Sequence, residues 1–261
     1  MKYKKKGWIW LVAALLCGCQ KQLDSGLPPS AQSNLFSLRI VFHPVADDKP
    51  LQFNGTSYTN AFNEPYTVKT FKFYISQIDL VNTDSAITYR LDRSSYFLVD
   101  QSSPAASVIA LKPVAHRYNQ LRFVVGVDST RNVSGAQTGA LDPSNGMFWT
   151  WNSGYIMAKL EGTSPLSNQP GNRIEYHIGG FKEPYNVLRR IELPLPNVQA
   201  GTFRAGAASS IVLSANVNAW FHNPNDLHIA QTPVFMTPGD TSRKIAENYS
   251  HMFNVTSVSG N

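Results

Sequence analysis

The chain has 261 residues, of which 43% are hydrophobic and 15% are charged, and its formal net charge is +6. That length is enough for one sizeable core and lies within the range of a single all-β domain. Lysines and arginines do not cluster outside the N-terminus, which argues against a nucleic-acid surface. The two cysteines, Cys17 and Cys19, both lie near the N-terminus, so the composition excludes a disulfide scaffold.

The N-terminus has the organisation of a bacterial export signal. Four lysines between positions 2 and 6 precede an apolar stretch from Trp8 to Leu16. This stretch is far shorter than the ~20 residues that span a bilayer, and it fits the apolar region of a signal peptide. The sequence Leu16-Cys-Gly-Cys19 resembles a bacterial lipobox. We therefore expect cleavage after residue 18 and a lipid on Cys19.

This processing predicts three segments. Residues 1–18 form the signal, residues 19–34 are a flexible tether rich in Gln, Ser, Pro and Gly, and residues 35–261 are the domain. Removing the four lysines of the signal lowers the net charge from +6 to +2. Gln20, rather than Asp, follows Cys19, which resembles the pattern of outer-membrane lipoproteins. We expect a cell-envelope protein that faces the periplasm and touches the membrane only through its lipid. A plain secretory signal or a short membrane anchor is the alternative.

The remaining sequence is typical of an all-β domain. Apolar and polar residues alternate from Phe36 to Phe42, which is the period of a half-buried strand. Clusters of Gly, Pro, Asn and Asp separate this run from later ones. The predicted strands are 36–42, 67–82, 96–99, 117–127, 157–161, 189–195 and 209–217. Only 241–249 is predicted as a helix. Because strands and helices do not alternate, we predict a single antiparallel β-sandwich with one short helix near the C-terminus.

Motifs of enzymatic chemistry are absent from the sequence. It has no phosphate-binding loop, no nucleophile elbow and no zinc-protease helix. We therefore predict no catalytic activity. Asp128, Asn132 and Asp142 lie in a turn-rich stretch and carry oxygen ligands suited to calcium, but ordinary Asx-turn chemistry explains them better.

An aromatic segment and scattered histidines are the remaining candidates. Trp149 and Trp151 lie in the run Met147-Phe-Trp-Thr-Trp-Asn-Ser-Gly-Tyr155, and on a strand they share one face. Core packing is one interpretation of this pair, because buried tryptophans fill space well. The six histidines are His43, His116, His177, His222, His228 and His251, and none has the spacing of a local metal motif.

Several segments together resemble the MbnP-like copper-binding domain family. In order, they are Phe71–Leu80, Phe123–Asp128, Gly139–Pro143, Met147–Tyr155, Lys159–Gly162, His177–Gly180 and Ile245–Tyr249. The Trp-x-Trp-x-x-Gly-Tyr run followed by His-Ile-Gly-Gly is the specific part. The resemblance extends over nearly the whole chain from about Leu35 to Val258.

The resemblance implies a site and a partner. Family members are exported, and in the characterised type a MauG-like dihaem protein oxidises a tryptophan to kynurenine beside bound copper. Carried over to this sequence, His177 and His43 are the expected metal ligands, and Trp149 or Trp151 is the modified or neighbouring aromatic residue. His222, in Trp220-Phe-His222, is the alternative ligand.

The sequence also departs from the family pattern. One branch of the family carries four cysteines, and some members have an Asn-His step, whereas here the cysteines are missing and Val133 follows Asn132. The alternative hypothesis is therefore a cell-envelope β-sandwich that binds a ligand or a protein without a metal.

Lipid attachment at Cys19 makes a direct prediction. Replacing Cys19 with Ser removes the thiol that receives the lipid, so the protein should move from the membrane fraction to the soluble fraction after cell lysis. Cys17→Ser is the matched control and should stay with the membranes. Membrane retention of the Cys19→Ser variant would contradict the lipoprotein assignment.

Overall fold

The computed structural model describes residues 34–53, 55–150, 154–196, 198 and 203–260. The signal, Cys19 and nearly all of the expected tether lie outside these residues. The elements are β1 (Ser37–Ala46), β2 (Lys49–Pro50), β3 (Tyr58–Thr59), β4 (Pro65–Asn82), β5 (Ile87–Arg90), β6 (Tyr96–Asp100), β7 (Val108–Leu111), β8 (Gln120–Val125), α1 (Ser129–Val133), β9 (Phe148–Trp149), β10 (Gly154–Thr163), β11 (Arg173–Gly179), β12 (Arg189–Pro194), β13 (Ala208–Asn216), β14 (Val234–Phe235), α2 (Asp240–Tyr249) and β15 (Phe253–Gly260). No described helix is long and apolar enough to cross a bilayer.

The smaller sheet is built around β1. Its order is β15-β13-β1, with β7 and β2 on the other edge of β1. β1 and β13 run parallel, from Ser37 opposite Ala208 to Val45 opposite Asn216. Alternate side chains of β1 are buried, as the sequence period predicts. One face of this sheet therefore belongs to the core and the other faces solvent.

The larger sheet is built around the 18-residue strand β4. The order is β12-β8-β4-β10-β11-β14, while β3, β5 and β6 also pair with β4, and β9 pairs with β10. β4 pairs with β10 over its first half and with β8 over its second half. This long strand aligns β10 and β11, which carry the candidate site.

Aromatic packing between the sheets forms the centre of the core. The Phe42 ring of β1 lies edge-on to Phe73 of β4, with ring centroids 5.7 Å apart. It makes similar contacts with Phe123 at 6.3 Å and with Phe253 at 6.0 Å. Edge-to-face pairs add to the stability that burial gives. Because Phe42 points inward, the next residue, His43, points outward and is exposed.

The predicted β-sandwich with one short helix near the C-terminus is confirmed. All seven predicted strands occur, with bounds shifted by a few residues, and the helix begins one residue earlier than predicted. Most pairings are antiparallel, but β1 with β13 and β11 with β14 are parallel. The chain passes from the larger sheet to the smaller one between β12 and β13. Strands β7, β11 and β15 were not predicted, and neither were the short strands β2, β3, β5, β9 and β14.

Candidate functional site

The outer face of β10 and β11 carries the candidate site. Lys159 of β10 lies directly opposite His177 of β11 in the ladder. Their neighbours Leu160, Tyr176 and Ile178 are fully buried in the core. Since side chains alternate along a strand, His177, Gly179, Lys159 and Glu161 share the face that points away from the core.

His177 and Glu161 form a tight pair on this face. His177 Nε2 lies 2.7 Å from Glu161 Oε1, and the two side chains are 13% and 26% exposed. The hydrogen bond with His177 is the main cause that lowers the pKa of Glu161, to about 2. The carboxylate is therefore ionised at neutral pH and can only accept hydrogen bonds.

This pairing fixes the chemistry of the His177 ring. Because the carboxylate only accepts, Nε2 must carry the proton, and in a neutral ring Nδ1 then holds the free lone pair. The Lys159 Nζ lies 3.6 Å from Glu161 Oε1 and donates to the Gly146 carbonyl at 2.6 Å. The hydrogen bond at Nε2 thus orients the ring of His177, and the lone pair of Nδ1 takes no part in that bond.

Trp149 is seated on the same face by Gly179. Strand β9 pairs with the start of β10, Trp149 opposite Gly154, and holds the indole over β11. A Cβ at Gly179 would come within 2.5 Å of Trp149 Cζ3 and 2.6 Å of Cη2, so the ring occupies the space of a side chain. Gly179 lies two residues after His177, a step of about 7 Å along the same face. Trp149 therefore lies over the position next to His177 on this face.

Helix α1 and the loop that follows it contact the first residues of β10 and hold Tyr155 in place. Asn132 is buried; its Oδ1 accepts from the Tyr155 backbone N–H at 2.9 Å, and its Nδ2 donates to the Val127 carbonyl at 2.7 Å. The Tyr155 hydroxyl donates to the Leu141 carbonyl at 2.7 Å. These bonds attach α1 and the following loop to the first residues of β10.

The three residues considered for calcium have structural roles. Asp128 caps α1 by accepting from the Arg131 N–H at 3.1 Å, and Asp142 accepts from the Ser144 N–H at 2.8 Å. Asn132 is occupied by the backbone bonds described above. Among the residues that the structure describes, no group of three or more His, Cys, Asp or Glu side chains could hold a metal ion.

A pocket of about 310 Å³ opens beside the Trp149 ring. Four aromatic residues line it, two from β9 and β10 and two from the loop after β11, together with the charged residues Lys182 and Glu183. The principal lining residues are Asn132, Trp149, Tyr155, Phe181, Lys182 and Tyr185. The pocket gives solvent or a ligand access to a tryptophan that is itself only 5% exposed.

The other predicted site residues are placed elsewhere. His43 is exposed on the outer face of the smaller sheet, on the opposite side of the core from His177. Because the aromatic core separates these two faces, the expected pairing of His43 with His177 is corrected: the structure does not bring them together. His222 lies 2.7 Å from Asp226, while Trp220 is fully buried and donates to Met252 Sδ. Trp151 lies outside the described residues.

The sequence analysis missed Glu161 and the role of Gly179. Both belong to segments that carry the family resemblance, Lys159–Gly162 and His177–Gly180. A signal was available, because the period of 2 in these segments places Lys159 and Glu161 on one face of β10 and His177 and Gly179 on one face of β11. Their register across the ladder was not readable from either segment alone.

The fold and site describe an extended β-sandwich with an oriented histidine and a seated tryptophan on one outer face. The MbnP family model matches residues 36–237, and the chain belongs to the MbnP family. A similar solved structure is MbnP from Methylosinus trichosporium, with 14% sequence identity, a TM-score of 0.47, and coverage of 78% of this chain and 81% of that chain. The curated proteins contain no match to this chain.

The Trp149 seat makes a prediction about stability. Gly179→Ala should cost about 1–3 kcal/mol of unfolding free energy, because the new methyl group overlaps the indole ring. Trp149→Ala should cost about 3–5 kcal/mol, as deletion of a large buried aromatic does. In the Trp149→Ala background the cost of Gly179→Ala should fall by about 1 kcal/mol, since only the contact with the Tyr155 carbonyl remains.

Urea unfolding of the four proteins measures these values. Gly239→Ala is the control, because Gly239 has extended backbone and its nearest contact is 4.0 Å away. An equal cost of Gly179→Ala with and without the indole would show that Trp149 does not occupy this seat.

Proposed function

We propose that this chain is an exported, lipid-anchored copper-binding protein whose site lies on the outer face of β10–β11, around His177 and Trp149. The supporting observation is that Glu161 orients the ring of His177 beside the tryptophan seated on Gly179. The protein needs no catalytic groups of its own for this role.

The chemistry of the pair suits a metal. Histidines that bind metals usually donate their other ring N–H to a carboxylate, which fixes the tautomer and raises the basicity of the ligand atom. His177 has this arrangement, with Nδ1 as the ligand atom. Neutral imidazole suits copper, and no thiolate occurs among the described residues to compete with it.

Trp149 would supply the second donor only after oxidation. An intact indole has an N–H donor but no lone pair for a metal. Conversion to kynurenine would create an aryl amine that can coordinate, and a MauG-like dihaem protein is the proposed oxidising partner. The structure describes two tryptophans. Of these, Trp149 borders a pocket, whereas Trp220 is fully buried.

The proposal includes a cellular location for the protein. A lipid on Cys19 would hold the domain at the outer membrane, facing the periplasm, through the tether of residues 19–34. No nucleic acid is expected as a partner, because the basic residues of the signal are lost on cleavage.

A second candidate function rests on the pocket itself. Its aromatic wall and the absence of a three-ligand group among the described residues favour a metal-free sandwich that binds a small apolar ligand. The two functions differ in what happens to copper affinity when His177 is removed.

Competition against a Cu(I) chelator tests the proposal. The mature domain with Cys19→Ser would be expressed with and without the dihaem partner, and its intact mass would report oxidation of a tryptophan. His177→Ala should weaken binding at least tenfold, or ~1.4 kcal/mol. His43→Ala and His222→Ala are matched controls and should bind as the parent does.

Two outcomes would contradict the proposal. Equal affinities of the parent and His177→Ala would remove His177 from the site. Affinity no better than micromolar in every sample, including those made with the dihaem partner, would favour the metal-free function.

A further inference from the structure

A second concave site lies at the end of the sandwich opposite the tether. The described chain begins where the Asn34 and Leu35 carbonyls accept from Ala115 and Gly206, next to the start of β1. β1 then runs ten residues, about 33 Å, to Ala46. Asp47 follows, and its N–H donates to Asn216 Oδ1 at the end of the parallel strand β13. The cleft at this end is called the distal cleft.

The distal cleft has a volume of about 490 Å³ and a polar lining. The lining residues used below are Asp47, Thr59, Asn218, His222, Asn223 and His251. Alanines are the apolar members of the lining, and no lysine or arginine is among the described residues that form it. The cleft therefore offers hydrogen bonds and one carboxylate, and no apolar side chain larger than alanine lines it.

One wall of the cleft is held in place from beneath. The Tyr66 hydroxyl donates to Asn218 Oδ1 at 2.5 Å, which fixes the orientation of that amide. Asn218 Nδ2 then donates to Asp47 Oδ2 at 2.8 Å and to the Thr59 carbonyl at 3.1 Å. Asp47 has a φ of +54°, so its backbone depends on these bonds. The carboxylate is thus positioned before any ligand arrives.

The opposite wall has spare hydrogen-bonding groups. Asp226 accepts from His222 Nδ1 at 2.7 Å, which orients the ring and leaves Nε2 for other partners. The side chains of Asn223 and His251 form no hydrogen bond with the residues that the structure describes. Asp47 has no lysine or arginine within salt-bridge distance in the described part of the chain.

These features narrow the class of ligand. An anion would meet the Asp47 carboxylate without a compensating lysine or arginine, and a lipid or an apolar peptide would find no large apolar side chain in the lining to pack against. A metal ion needs a group of ligands, and the described residues contain no group of three or more such side chains. A neutral ligand with many hydroxyl groups matches amide, carboxylate and imidazole groups, which both donate and accept.

We propose that the distal cleft binds a neutral oligosaccharide of hexose or N-acetylhexosamine units. The cleft lies at the end of β1 and β13, whereas the His177 site lies on the outer face of β10 and β11. This inference is therefore independent of copper binding.

Isothermal titration with defined sugars tests the inference. The probes are maltohexaose, cellohexaose and N-acetylchitohexaose, with an oligogalacturonate as the acidic comparison. The mature domain with Cys19→Ser should bind at least one neutral probe and should not bind the acidic one. Asn223→Ala and His251→Ala should each weaken that binding at least tenfold. The matched controls Asn254→Ala and His43→Ala change exposed residues outside the cleft and should bind as the parent does.

Circular dichroism would confirm that all variants are folded before titration. No binding of any neutral probe to the folded parent would overturn the inference, as would unchanged affinity in both cleft variants. Equal binding of oligogalacturonate would contradict the charge argument. Copper affinity should be the same in Asn223→Ala and the parent, so failure here is distinguishable from failure of the copper proposal.

Discussion

The contact between the Trp149 ring and the backbone of Gly179 determines the arrangement of the outer face. No side chain fits at Gly179 while the indole is there, because a Cβ would overlap two ring atoms. The ring in turn forms a wall of the pocket and covers the end of β11 next to His177. The Trp-x-Trp run and the His-Ile-Gly-Gly motif therefore belong together for a steric reason.

The alternation of side chains along a strand explains which site residues could be predicted. It places Lys159 and Glu161 on one face of the predicted strand 157–161, whereas the strands that carry Trp149 and His177 were not predicted. The family resemblance alone supplied the expectation that Trp149 and His177 act together. The same alternation argues against His43, since Phe42 points into the core and its neighbour must point out. The sequence contained this signal, but the pairing of His43 with His177 was inferred from resemblance alone.

Other features depended on long-range packing that a single sequence does not show. β15 is rich in Ser and Thr, and it is fixed by the Phe253 ring against Phe42, Phe73 and Phe123. The parallel alignment of β1 with β13 joins residues about 170 positions apart and places Asp47 beside Asn216 and Asn218. Seven of the strands were predictable from local pattern, whereas β15 and the distal cleft were not.

The proposed copper site requires His177 to bind the metal through Nδ1 while Nε2 stays bonded to Glu161. The most direct measurement is a long-range proton–nitrogen correlation spectrum of the ¹⁵N-histidine-labelled mature domain during titration with Ag(I), a diamagnetic substitute for Cu(I). The account predicts that the Nδ1 resonance of His177 shifts and that Nε2 keeps its proton. An unchanged His177 with a shift at another histidine, or loss of the Nε2 proton, would contradict it.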